Sequence, residues 1–188
     1  AIRRQRQMCI RDRDKDPNSE PTIFGIDNVE LNSVDFNYDD YRIPKKEFGI
    51  DYNHIGITNL DLNIGNFKIQ GDAYTFDIGH ISCSEKSGLE LKDFSSIVFI
   101  NEGKIQLDEL NFNVGSSHIL ADYFSLDFDT WDDFNAFKDQ VNFDANIDSS
   151  VVSLMDVSFF VDELKGMNEL IAAKGRICLL YTSPSPRD

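Results

Sequence analysis

The chain has 188 residues, 41% of them hydrophobic, and 33 acidic side chains against 18 basic ones give a formal net charge of -15. That balance excludes nucleic acid and a bare anionic membrane surface as partners, because both repel such a field. No run of eighteen apolar residues is present to span a bilayer and nothing reads as a signal peptide, while a start without Met reads as an internal fragment.

The two ends differ from the rest. Residues 1–13, AIRRQRQMCIRDR, hold five arginines and one acid, and residues 178–188, CLLYTSPSPRD, hold two of the five prolines. Both resemble translated sequencing-adapter read-through of the kind found in metagenomic gene fragments, so both are set aside from fold reasoning. Without them Lys plus Arg falls to 12 and Asp plus Glu to 31, a net charge of -19. Cys9 and Cys178 leave with the ends. Cys83 alone makes no intrachain disulfide.

Residues 14–26, with Pro17 and Pro21 among Asp, Asn and Ser, read as a linker or frayed edge. From residue 27 to 177 a ten-residue pattern dominates, in which the first, third, sixth, eighth and tenth places are apolar. Its six copies begin at Val29, Ile55, Phe76, Leu89, Ile105 and Ile119. Only Glu85 and Ser96 fail among the thirty apolar slots, and only Ile97, Leu120 and Tyr123 intrude among the thirty between them. Such alternation belongs to strands with one apolar face.

Each copy changes parity once, at Asn32-Ser33, Thr58-Asn59, Gly79-His80, Lys92-Asp93, Asp108-Glu109 and Asp122-Tyr123. A flat strand would throw its second half onto the other face there; a bulge keeps one face and adds bend and twist. The defect therefore predicts curvature. Glu85 reads as lying past a strand end. Gly65-Asn66, Gly71-Asp72, Ser87-Gly88, Glu102-Gly103 and Gly115-Ser116 read as turns, which favours an antiparallel meander. Asp39 to Asn53 reads as a polar excursion, and the uneven copy spacing argues against a fixed-period solenoid.

Two segments break the rhythm. Thr130 and Asp133 open a short helix carrying Trp131, Phe134 and Phe137. Val157, Phe160, Val161 and Leu164 predict a second, two-turn helix with Asp156 as its N-cap. Val141, Phe143, Ala145 and Ile147 alternate as a strand, and 151–154 suggests a further short one.

The stretches HISCSEKSGLELKDFSS, SLDFDTWDDFNAFKDQV and SSVVSLMDVSFFVDELKGMNELIAAKGRI carry a resemblance to the TamB proteins of the translocation and assembly module, within the AsmA-like group and most like Bacteroidota versions. It covers about Phe48 to Ile177. The resemblance implies an inner-membrane-anchored periplasmic protein, with its anchor outside this fragment, shaped as an elongated curled sheet (a β-taco). It implies phospholipid transfer and outer-membrane assembly, with phospholipid acyl chains and outer-membrane assembly proteins as partners.

The expected fold is all-β with two short helices, an elongated, curled, mostly antiparallel sheet with one apolar concave face. The expected acyl-chain lining is Ile55, Ile57, Leu60, Leu62, Ile64, Ile105, Leu107, Leu110, Phe112, Val114, Phe124, Leu126 and Phe128. The alternatives are ordinary core in a closed sandwich of a surface protein, and a polysaccharide-acting β-helix enzyme; the latter needs acids and aromatics on an outer face. His54, His80 and His118 precede template residues and are expected on the wet outer face. No metal set, cofactor motif or catalytic constellation stands out, because Asp127, Asp129, Asp132 and Asp133 lack the Gly and terminal Glu of a calcium loop.

Overall fold

The computed structural model describes residues 23–179, so the first twenty-two residues and the last nine lie outside the described residues. Eight strands form one open antiparallel sheet in simple sequence order: β1 (Ile23–Asp39), β2 (His54–Gln70), β3 (Ala73–Glu85), β4 (Glu90–Ile100), β5 (Lys104–Val114), β6 (Ser117–Asp127), β7 (Asn142–Ser153) and β8 (Leu170–Leu179). The helical pieces are small. Trp131–Ala136 is a 3₁₀ turn leading into α1 (Phe137–Gln140), and α2 (Leu154–Ser158) is followed by a 3₁₀ turn at Asp162–Leu164.

All six parity changes are bulges. Opposite Leu31 to Val34 the register slips by one, and opposite Thr58 to Asp61 it slips again. Shifts follow opposite Gly79, at Lys92, between Asp108 and Asn111, and between Ala121 and Tyr123. Ser33, Asn59 and Glu109 take positive φ near 50°, as a bulged residue can. Two of the orphaned bulge N–H groups are satisfied by a carboxylate on the neighbouring strand: Ser33 donates to Asp61 at 2.8 Å and Asn59 to Asp35 at 3.0 Å. The aspartate two residues after each of these dipeptides thus supplies the acceptor for the bend of the neighbouring strand.

The elements differ from the sequence reading in six places. Gly65-Asn66 is not a turn but a second bulge within β2, with Asn66 at φ 53° and its side-chain amide 2.5 Å from Asp77. It carries the apolar face on to Phe67 and Ile69. The strand at 141–147 and the short one after it are a single β7, kinked between Ile147 and Ser150; Ser150 Oγ donates to Asp148 O at 2.7 Å and accepts the Leu120 N–H at 2.8 Å. The expected two-turn helix starts earlier and stops after one turn, since the Phe159 carbonyl accepts Ile50 N–H at 2.9 Å instead of a helical partner. Glu85 lies within β3, opposite Ile57. β8 was not read as a strand, and it runs through Cys178 and Leu179, while β1 starts at Ile23 inside the expected linker.

No second sheet lies over the apolar face among the described residues. The hydrophobic cluster is small, built on Leu126, Phe128 and Val141 with Ile105, Phe124, Phe134 and Phe143 packed around it. Thr130 N–H and Asp129 N–H both donate to the Asp133 carboxylate, which fixes the turn that lays Trp131 and Phe134 over Phe128 at ring separations of 4.9 and 5.0 Å. These bonds hold the Asp133 carboxyl below its ordinary range, the Thr130 N–H contributing most. The capping pair read from Thr130 and Asp133 is therefore present.

The opposite ends of the strands carry two long loops, 40–53 and 154–169. In a flat sheet β2 and β7 stand five spacings apart, about 24 Å at ~4.8 Å each. Yet the loops meet. Phe48 stacks on Phe159 at 6.0 Å, Lys46 pairs with Asp162 at 2.9 Å, and Lys165 sits 4.5 Å over the Phe48 ring.

Candidate functional site

Register decides whether alternating residues form one surface, and here it does so across the whole sheet. Phe24, Ile69, Tyr74, Ile100, Ile105, Leu126, Phe143 and Leu179 are successive cross-strand partners, one from each strand. A second row runs beside it through Ile26 and Phe67, then Phe76, Val98, Leu107, Phe124, Ala145 and Ile177; the Phe67 and Phe76 rings bridge β2 and β3 at 5.9 Å. Neither row contains a polar residue. Cross-strand pairs of this type stabilise a sheet by roughly 0.2–1 kcal/mol each, so the rows support the fold even where nothing covers them.

All thirteen expected lining residues fall on this face, and among the cross-strand partners they meet elsewhere on it only Glu85 and Ser117 are polar. Leu62 sits between Leu31 and Ile81, Leu60 opposite Val34, Ile64 between Val29 and Ile78, and Ile55 opposite Tyr38. Ile57 lies between Phe36 and Glu85. On β5, Leu110 faces Ala121, Phe112 lies between Phe94 and Ile119, and Val114 is opposite Leu91. The Phe94 and Phe112 rings meet edge to face at 5.8 Å.

Their burial divides them. Ile55, Ile57, Leu60, Leu62, Ile64, Ile105, Leu107, Phe112 and Phe124 are half-buried, Ile105 and Phe124 among them packing against the Leu126, Phe128 and Val141 cluster. Leu110, Val114, Leu126 and Phe128 are buried. Leu126 and Phe128 lie under the Trp131–Phe134 flap, so they act as core in this arrangement. The sequence reading missed Phe67 and Ile69 because a second bulge hides their parity, and Tyr74 and Ile100 because they fall just outside the ten-residue frame. Ile177 and Leu179 were missed with β8, although Ile171, Ala173, Ile177 and Leu179 do alternate.

The other face is polar and cross-linked. His80 Nδ1 lies 2.6 Å from Asp93, Asp93 accepts from the Asn111 amide at 2.7 Å, and Asn111 Oδ1 lies 3.1 Å from His118 Nε2. His80 and His118 thus stand on the wet face as expected. His54 does not: it is 2% exposed, with Nδ1 2.9 Å from the Asp51 carboxylate. Alternation gave it the right face, but Asp51 folds back over it from the loop. That carboxyl is held below its usual range, first by the Lys46 N–H and also by Asn53 N–H and the His54 ring.

Among the described residues no three His, Cys, Asp or Glu side chains converge to hold a metal ion. Burial pushes the Cys83 thiol up, and nearby Glu85 adds to it, which disfavours the nucleophilic thiolate. Burial pushes the Glu85 carboxyl up, but donors from Ser87 and the Gly56 N–H outweigh it and leave it lowered, so it serves as a bound acceptor at the strand end. No helix is long and apolar enough to cross a membrane among the described residues. No known protein family, curated protein or solved structure matches the chain.

Proposed function

We propose that this sheet is a segment of a TamB-like periplasmic protein, anchored in the inner membrane by a part outside this fragment, that carries phospholipid acyl chains for outer-membrane assembly without enzymatic chemistry. The observation that supports it is the pair of unbroken apolar rows crossing all eight strands on a face that no second layer covers. Acyl chains are held there by solvent exclusion and dispersion, which have no direction, so a chain slides without a recognition step. Headgroups stay in water at the strand ends. A contiguous apolar surface of this extent is rare on a protein that binds nothing.

Native mass spectrometry of residues 23–179 tests it: phospholipid should accompany the protein, and a crosslinker placed at Leu62 or Phe112 should capture lipid where one at Asp61 or Asn111 does not. A lipid-free, stable monomer with no crosslink at any of the four sinks the proposal. One sheet of eight strands among the described residues favours the groove over the closed sandwich.

A further inference from the structure

The loop between β1 and β2 has two unlike sides. Its inner half is fastened to the β7–β8 loop through Phe48, Ile50 and Lys46, as described above. Its outer half carries the most exposed aromatic among the described residues: Tyr41 is 90% exposed and Tyr52 65%. Tyr41 and Tyr52 are the chain neighbours of Asp40 and Asn53, which are joined by a hydrogen bond from Asp40 N–H to Asn53 O (2.8 Å), so both stand at the loop base. Ile43, also exposed, closes the turn by donating its N–H to Asp40 O at 3.1 Å.

Two of the three carboxylates in this loop turn inward: the Asp40 side chain is 11% exposed and that of Asp51 9%, each accepting backbone N–H groups, while Glu47 beside Lys46 is exposed. The cations turn outward. Arg42 is 87% exposed, its Nε and Nη2 forked on Asp40 at 2.8 and 2.7 Å, and Lys45 is 69% exposed. The result is a fixed tip of tyrosine, isoleucine, arginine and lysine on an acidic protein.

We propose that this tip docks the protein on a zwitterionic phospholipid bilayer surface. Tyrosine favours the boundary where one end of the ring is wet and the other apolar, and Arg and Lys reach the phosphates while their stems lie along the chains. A zwitterionic surface offers those phosphates without the net field that would repel a chain of net charge -15. The docking is independent of the groove: it asks only for the loop, and it holds whether or not lipid rides on the sheet.

Flotation of the full chain with dioleoylphosphatidylcholine vesicles tests it. The parent should float, and a Tyr41→Ser/Tyr52→Ser double variant should float about tenfold less, as expected for removing roughly 30 Å² of buried ring surface per tyrosine. Arg42→Gln/Lys45→Gln should weaken it less, and phosphatidylglycerol in the vesicles should weaken the parent further at low salt. A Tyr41→Trp variant should gain blue-shifted emission on adding vesicles. Leu62→Asp, in the groove, should float like the parent while losing any copurified lipid, which separates the two proposals. Parent chain that stays in solution overturns the docking proposal, as does a double variant that floats equally well. So does a double variant whose only change is loss of self-association in sedimentation velocity, which would make a second copy the occupant. Unchanged circular dichroism shows that exposed substitutions left the fold intact.

Discussion

The bulges divide each strand into two halves that solve the problem of an uncovered apolar face differently. Toward Gln70, Ile100 and Asp127 the rows are wholly apolar, the aromatic pair Phe124 and Phe143 meets at 5.1 Å, and an aromatic flap covers one corner. Toward His54, Glu85 and Ser153 the same face admits Cys83, Glu85, Ser117 and Ser150. Stability there rests on polar clasps. Asp156 is 5% exposed and accepts Ser116 N–H at 2.8 Å and Ser117 Oγ–H at 2.6 Å, tying α2 to the β5–β6 turn. The difference teaches that a single-layer sheet needs no continuous core: one half holds by packing and the other by buried hydrogen bonds, and a continuous apolar path is found only in the first.

The largest expected effect lies in the packed half. Phe128→Ala should cost about 3–5 kcal/mol, as deletion of a fully packed aromatic does, read as a lower urea midpoint; Phe36→Ala, on the exposed edge strand, should cost much less. Equal costs would erase the distinction between flap and open face. In the clasped half, Gly115→Ala should cost about 2 kcal/mol or more, because Gly115 has φ 54° and an added Cβ would collide with the Asp156 carboxylate. If Gly115→Ala melts like the parent, the clasp is not where that half gets its stability.

Between the halves, the bulge at Glu109 offers a smaller and two-signed test. Its φ of 53° strains any side chain with a Cβ, so Glu109→Gly should stabilise by roughly 0.5–1 kcal/mol and Glu109→Val should destabilise by a similar amount or more. Thermal melts of the pair that shift in the same direction would deny the bend.

The smallest effect concerns acid. Arg176, 2.6 Å from Asp144, holds that carboxyl below its ordinary range, with the Tyr123 hydroxyl as a lesser donor. Lys174 lowers Asp148 in the same way one bend further along β7. A lowered folded value means that the stabilisation is complete above the unfolded carboxylate range and is lost as pH falls through the folded value. Stability should therefore be flat from neutral pH to about pH 5 and decline below about pH 4. Asp144→Asn should flatten part of that decline, first at the β7–β8 edge by hydrogen exchange; an unchanged acid limb would remove the pair from the account.

Sequence reading located all six main bulges because each is a polar dipeptide between apolar neighbours, a signal carried by adjacent residues. It placed the apolar face, and thirteen residues on it, for the same reason. Asn66 escaped because Gly beside Asn also spells a turn, and β8 because Gly175 and two alanines dilute its alternation. His54 and the short α2 could not be read locally at all: one is decided by a loop folding back, the other by a carbonyl taken up by Ile50, more than a hundred residues away in sequence.

The order of residues alone determined an all-β chain with one apolar face and a bend in every long strand, since both follow from the two-residue period of side chains and its interruptions. Only tertiary structure decided that the sheet stays a single open layer, that its apolar rows are continuous on one side of the bends alone, and that the two long loops meet. The physical reason is that register and loop contact depend on groups distant along the chain, whose pairing leaves no periodic mark in the sequence.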